Sequence, residues 1–203
     1  MSEFPMEYDG DRLVIEKETL SNLDEFVLQF TEVLDQAGVQ YVVVAGYVAI
    51  LLGRSRATED VDVIIEPLSE SETDALAEAL DDAGYWGVEE PLEHMYDRQT
   101  DDIATRVAPD GKMIPNFEVV FPQDGYDRHS LSEAIVAELA GRTLRIGPLE
   151  LQVAYKLHLG SQKDFEDALH LYTLFADRLD TEKLERFVDG FEVNDSYERL
   201  RDA

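Results

Sequence analysis

The sequence predicts an α/β domain followed by a helical part, and three observations carry that reading. Two β-branched runs, "VQYVVVA" (39–45) and "EDVDVIIE" (59–66), read as strands, and a short apolar helical stretch separates them. Amphipathic helical patterns stand before and after this pair. From Pro148 onward the pattern is helical throughout. A chain of 203 residues fits one domain with an extension. The expected division is an α/β domain over 1–147 and a C-terminal helical region over 148–203 packed on it.

The first long helix is expected within 19–38, "TLSNLDEFVLQFTEVLDQAG". Ser21 and Asp24 have the spacing of a capping box, Gly38 suits the position after the last turn, and Leu23, Phe26, Val27, Phe30, Val33 and Leu34 recur at helical spacing. The strand at 39–45 runs into a short apolar helix over 46–53, closed by Gly53, and Pro67 ends the strand at 59–66. An acidic amphipathic helix follows over 69–84. Residues 85–100 carry no clear pattern. A hairpin is expected over 101–121, turning at Pro109-Asp110-Gly111. Then come a helix at 130–139, a short strand at 142–146, and helices at 148–159, 161–176 and 180–189.

Hydrophobic residues make up 44% of the chain, enough for a proper core. No apolar run approaches the roughly 20 residues that cross a bilayer, and the N-terminus lacks the pattern of a signal peptide. Without cysteine there is neither a disulfide framework nor a thiolate metal site. A cytoplasmic protein with no membrane partner is expected. The charge is extreme: 45 acidic against 17 basic residues, net −28, spread along the chain. Such a surface suits a high-salt, halophilic cytoplasm, where a Debye length of about 3 Å at molar salt screens the self-repulsion. It disfavours non-specific nucleic-acid binding at low salt.

Within this composition, Asp60 and Asp62 are unusual. Side chains alternate along a strand, so both share one face with Ile64, while Val61, Val63 and Ile65 take the other. Two adjacent carboxylates repel and are costly to bury unpaired. A divalent cation with oxygen ligands removes that cost. "NFEVVF" (116–121) offers a third carboxylate: Phe117, Val119 and Phe121 form its apolar face, and Glu118 points the other way with Asn116. If the two strands are neighbours, Asp60, Asp62 and Glu118 converge, and such a set could hold two Mg²⁺ about 4 Å apart for phosphoryl transfer. Alternation alone equally allows Glu118 to be a solvated strand residue. Gly46, where strand passes into helix, lets backbone N–H groups approach a phosphate.

Together, "VAGY" (44–47), "DVDV" (60–63) and the stretch that joins them resemble the DNA polymerase β-like nucleotidyltransferase superfamily, with its small-residue turn followed by Dh[DE]h. The likeness is greatest to the minimal nucleotidyltransferases and the branch of abortive-infection type IV toxins. "QKDFEDALHL" (162–171) is similar to a later Lys-Asp-x-x-Asp helix of that branch. The resemblance implies a nucleotidyltransferase-type mixed sheet flanked by helices. It also implies two Mg²⁺ ions, for which Mn²⁺ can substitute, and transfer of NMP from an NTP with release of pyrophosphate. It assigns Asp60, Asp62 and Glu118 to the metals, Glu118 also being the candidate base. Gly46 and Tyr47 begin the phosphate-binding turn, and Lys156 and Lys163 are candidate triphosphate contacts. The chain departs from the pattern at Ala45, where the first glycine is usual, at Gly46, where serine is an option, and at Glu118, where aspartate is commoner.

Of the five lysines, Lys163 is expected in the first turn of a helix capped by Ser161, where a cation opposes the helix dipole. Its structural alternative is a pair with Asp167. Arg54 and Arg56, just before the carboxylates, either hold phosphate or pair with Glu59. The acceptor of such an enzyme is open: an RNA end such as tRNA, a protein hydroxyl or a small molecule. An antitoxin-like protein is a further expected partner if the chain is the toxin of a toxin–antitoxin pair. The alternative function is a catalytically weak or inactive protein of this fold that binds nucleotide or a partner, and Ala45 is the residue that favours it.

Overall fold

A computed structural model describes residues 5–17 and 19–203. Among the described residues, nine strands join one mixed sheet: β1 (Met6–Tyr8), β2 (Arg12–Ile15), β3 (Tyr41–Val44), β4 (Asp60–Ile65), β5 (Tyr85–Gly87), β6 (Thr105–Pro109), β7 (Asn116–Val120), β8 (Ile135–Leu139) and β9 (Arg142–Ile146). Their order across the sheet is β1-β2-β8-β9-β3-β4-β7-β6-β5. β3 lies at its centre, and β4 beside it is antiparallel to β3 and parallel to β7. The helices are α1 (Asn22–Gln36), α2 (Gly46–Leu51), α3 (Glu70–Asp82), α4 (Met95–Thr100), α5 (Gly125–Ser132), α6 (Leu149–Leu159), α7 (Gln162–Phe175), α8 (Thr181–Gly190) and α9 (Asn194–Arg201).

The two faces of β4 have different fates because its side chains alternate. Val61, Val63 and Ile65 are fully buried, as are Phe117 and Val119 of β7 beside them. Above them Phe30 of α1 stacks on Phe117 at 3.8 Å between ring centroids, and Phe26 does so at 4.3 Å. Removing the Phe117 ring would cost about 3–5 kcal/mol. α1 starts where Ser21 and Asp24 form the expected capping box, the Asp24 N–H donating to Ser21 Oγ at 3.1 Å. Asp24 is itself buried and accepts from Lys17 Nζ (2.7 Å) and Tyr47 Oη (3.0 Å). Burial pushes its carboxyl up, but the bonds from Lys17 and Ser21 outweigh that and hold it below the ordinary aspartate value.

The hairpin over 101–121 forms as β6 and β7, with Arg106 opposite Glu118. The helix expected at 130–139 does not. α5 starts earlier, because Asp124 caps it by accepting from the N–H groups of Tyr126 and Asp127. Ile135, Ala137 and Leu139 then alternate inward with Val136 exposed, the two-residue period of the strand β8. β1, β2, β5, α4 and α9 are additional to the sequence reading. They are short, and α9 buries only Tyr197 and Leu200.

Candidate active site

On the second face of β4, Asp62 stands directly opposite Glu118 and Asp60 opposite Asn116 across the parallel pairing. The register therefore places Asp60, Asp62 and Glu118 on one face. Asp60 is steadied by Thr58, whose hydroxyl reaches its Oδ1 at 3.2 Å and its carbonyl at 2.9 Å. The Asp62 carboxyl is pushed up to about 6, first by burial and then by the charges of Asp60 and Glu118, against the opposing pull of Lys156. Glu118 does not point freely at the aspartates. Arg106 holds its Oε1 through Nη2 at 2.6 Å and Nε at 2.9 Å.

A cleft of about 280 Å³ opens over Asp62 and Glu118. Its far wall comes from Asp124, Tyr126 and Asp127 at α5 and from Gln152 and Tyr155 of α6. Its lining includes four carboxylates and no lysine or arginine.

These residues are oxygen donors of the kind a divalent magnesium takes. Asn116 Oδ1, buried and without a hydrogen-bond partner, stands in the register facing Asp60 and adds an acceptor that a cation would satisfy. Yet among the described residues no three acidic or histidine side chains are gathered closely enough to hold a metal. Glu118 is instead engaged by Arg106. That pair is part-exposed, worth about 0–1 kcal/mol, and so released at small cost. Asp60 and Asp62 are the carboxylates of this face that could hold a cation, and Glu118 could join them only on leaving Arg106.

The turn from β3 into α2 lies beside this face, with Val44 opposite Asp62. Ala45 has φ 56° and ψ −122°, a conformation that glycine takes readily and alanine only under strain of about 1–3 kcal/mol. Its N–H donates to Gln152 Oε1 at 2.9 Å. At Gly46 a Cβ would meet Arg56 Nη2 at 2.6 Å, so no larger residue fits while Arg56 stays in place. α2 has only six residues, so the turn's backbone, rather than a helix dipole, is what this corner offers a phosphate.

The other expected contacts are placed differently. Tyr47 is fully buried and donates to Asp24, so its side chain belongs to the core and only its backbone faces the turn. Arg56 is bound to Asp167 through Nε (3.2 Å) and Nη2 (3.0 Å), and Arg54 reaches Asp167 and Glu166. Neither arginine pairs with Glu59; the partner they share is Asp167. Lys156, only 3% exposed, donates to Asp164 at 2.8 Å and lies 3.3 Å from Asp167. Asp164 is driven up by burial, but Lys156 and Ser161 outweigh this and hold it low. Lys163 is exposed in the first turn of α7, beside the capping Ser161. Asp167, fully buried, is already shared by three cations and is not the partner of Lys163.

Gln152 is the residue that the sequence reading missed. Its signal was a lone amide one turn before Lys156, in an otherwise apolar helix start.

No family model matches this chain. No curated protein sequence matches it either. Solved structures do. An antigenic nucleotidyltransferase-like protein from Paracoccidioides brasiliensis superposes with a TM-score of 0.54 at 17% identity, over 86% of this chain and 90% of that one. The solution structure of the antibiotic-resistance factor ANT(2'')-Ia superposes with a TM-score of 0.51 at 18% identity, over 89% of this chain and 97% of that one. The same factor in complex with adenylyl-2''-tobramycin gives 0.52 at 17% identity, over 85% and 98%. At these identities the likeness shows the fold: the chain has a nucleotidyltransferase-type mixed sheet flanked by helices.

Proposed function

We propose that this protein is a Mg²⁺-dependent nucleotidyltransferase that moves NMP from an NTP to an acceptor hydroxyl. The observation that carries the reading is the register of Asp60 and Asp62 with Glu118 on one face of the sheet, beside the Ala45–Gly46 turn and under a cleft. Asp60 and Asp62 would hold the metal, joined by Glu118. Bound Mg²⁺, two ions or Mn²⁺ in their place, would offset the triphosphate charge that this acidic cleft otherwise repels. Gly46 and the Tyr47 backbone would receive phosphate oxygens, and Lys163 offers the exposed cation. Arg56 and Lys156 act from beneath, through Asp167 and Asp164.

In the reaction the acceptor oxygen attacks the α-phosphorus. The bond from that phosphorus to the bridging oxygen breaks, and pyrophosphate leaves with its electron pair. The hydroxyl proton passes to a carboxylate, Glu118 once it is free of Arg106. The size of the cleft, about 280 Å³, favours a small acceptor or the end of a larger one. Its four carboxylates favour an acceptor with positive charge over a stretch of RNA. The structural likeness to ANT(2'')-Ia with adenylyl-2''-tobramycin supports trying small cationic acceptors first. A toxin–antitoxin setting and a cytoplasmic, high-salt location rest on the sequence resemblance and on the net charge of −28.

Incubation with each α-labelled NTP and Mg²⁺ tests the reading, with an aminoglycoside, tRNA or a protein mixture offered in turn. Label should move to one acceptor class, and Asp62→Asn should abolish the transfer. Label that stays in NTP with every acceptor, although Mg²⁺-NTP binds, would favour the second reading. That reading is an inactive nucleotide-binding protein of this fold, and the Arg106–Glu118 pair is the observation behind it.

A further inference from the structure

We propose that Gln152 is a positioning residue: from α6 it fixes the strained Ala45–Gly46 turn in the conformation that the nucleotide meets. The proposal rests on the nucleotidyltransferase reading of the cleft. Ala45 holds a positive φ that its own side chain disfavours, so something outside the turn must keep it there. Among the described residues its N–H has one side-chain partner: it donates to Gln152 Oε1 at 2.9 Å.

Gln152 is well placed to act as a rigid clamp. It is 3% exposed, and its amide nitrogen packs against Gly147, where any Cβ would collide with it. Gly147 is held in turn by its N–H bond to Val43 O, at 2.9 Å. The clamp and the strand that leads into the turn are therefore built as one unit. On the other flank, Arg56 lies over Gly46 and is fixed by two bonds to the buried Asp167. The turn is gripped on both sides by groups anchored in α6 and α7. Gln152 also lines the cleft beside Asp62 and Glu118, so any slackening of the clamp is felt where the nucleotide would sit.

A core amide with only a packing role would affect stability alone. A positioning amide has a second signature: its loss should be repaired by removing the strain that it opposes. Glycine at position 45 holds the same φ and ψ without help.

The test compares the wild type, Gln152→Leu, Ala45→Gly and the double variant, with Gln152→Met replacing the leucine if that variant does not fold. Two readouts are taken: amide hydrogen exchange at Ala45 to Tyr47 in the protein alone, and the KM and kcat for Mg²⁺-ATP. Gln152→Leu should speed exchange at those amides at least tenfold, leaving the β4 and β7 amides unchanged. It should also raise KM about tenfold with a smaller change in kcat. The double variant should return both to within about threefold of Ala45→Gly. Unchanged exchange at the turn in Gln152→Leu overturns the proposal, whatever the enzyme does. So does a loss that Ala45→Gly fails to repair. If the wild type shows no turnover, the functional reading fails, and the exchange data still decide the role of Gln152.

Discussion

Asp62 and Glu118 face each other across the parallel pairing of β4 and β7, yet Glu118 gives its charge to Arg106, and among the described residues Asp62 forms no ion pair. Asp62 is buried among like charges, and its carboxyl rises from the ordinary 3.8 to about 6. A raised acid pKa in the fold means that ionisation costs stability. The cost is absent below about pH 4, grows as pH rises through 4 to 6, and is complete above it. Asp62→Asn should therefore be more stable than the wild type at pH 7.5, by about 2–3 kcal/mol from a shift of this size. The gap should close by pH 4. Thermal or urea melts across this range check it, and a gap that widens toward acid pH would contradict the account.

The two lysines should behave differently. Lys156 is buried between Asp164 and Asp167, so Lys156→Ala strands carboxylates in the interior and should cost about 3 kcal/mol of stability. α6 turns that position inward, so the change is felt in the fold itself. Lys163 is exposed, and Lys163→Ala should leave the melting midpoint unchanged while weakening Mg²⁺-NTP binding by about 1.5 kcal/mol. Urea melts and nucleotide titrations on both variants separate these effects.

Stability should rise with salt. At a net charge of −28 the folded chain repels itself, and the repulsion is screened as the Debye length falls from about 10 Å at 0.1 M to about 3 Å at 1 M. Melts in rising KCl should show a steadily higher midpoint. A midpoint that stays flat from low to molar salt would remove the halophilic reading.

The centre of the fold was legible because its strands announce themselves by burial. β4 alternates polar and apolar residues over Asp60–Val63 and β7 over Asn116–Val119, and the inward valines and Phe117 make their assignment secure. The carboxylate set followed from the same alternation, needing only the strands to be neighbours. What was not legible depends on partners distant in sequence. Arg106 captures Glu118 through a hairpin register, and Asp167 gathers Arg54, Arg56 and Lys156 from other elements. "SLSEAIVAEL" misled because Ser, Glu and Ala suit a helix, while the deciding feature, Asp124 capping α5 earlier, lies outside the stretch. β1, at the edge of the sheet, and β2 beside it are short, and their few residues carry too little pattern to stand out.

The most direct measurement is diffraction from crystals soaked with Mn²⁺ and a non-hydrolysable NTP. The account predicts anomalous density for the metal between Asp60 and Asp62, with Glu118 turned away from Arg106 toward it and the phosphates against the Ala45–Gly46 turn. Metal bound elsewhere, or nucleotide bound away from β4 and β7, would contradict it.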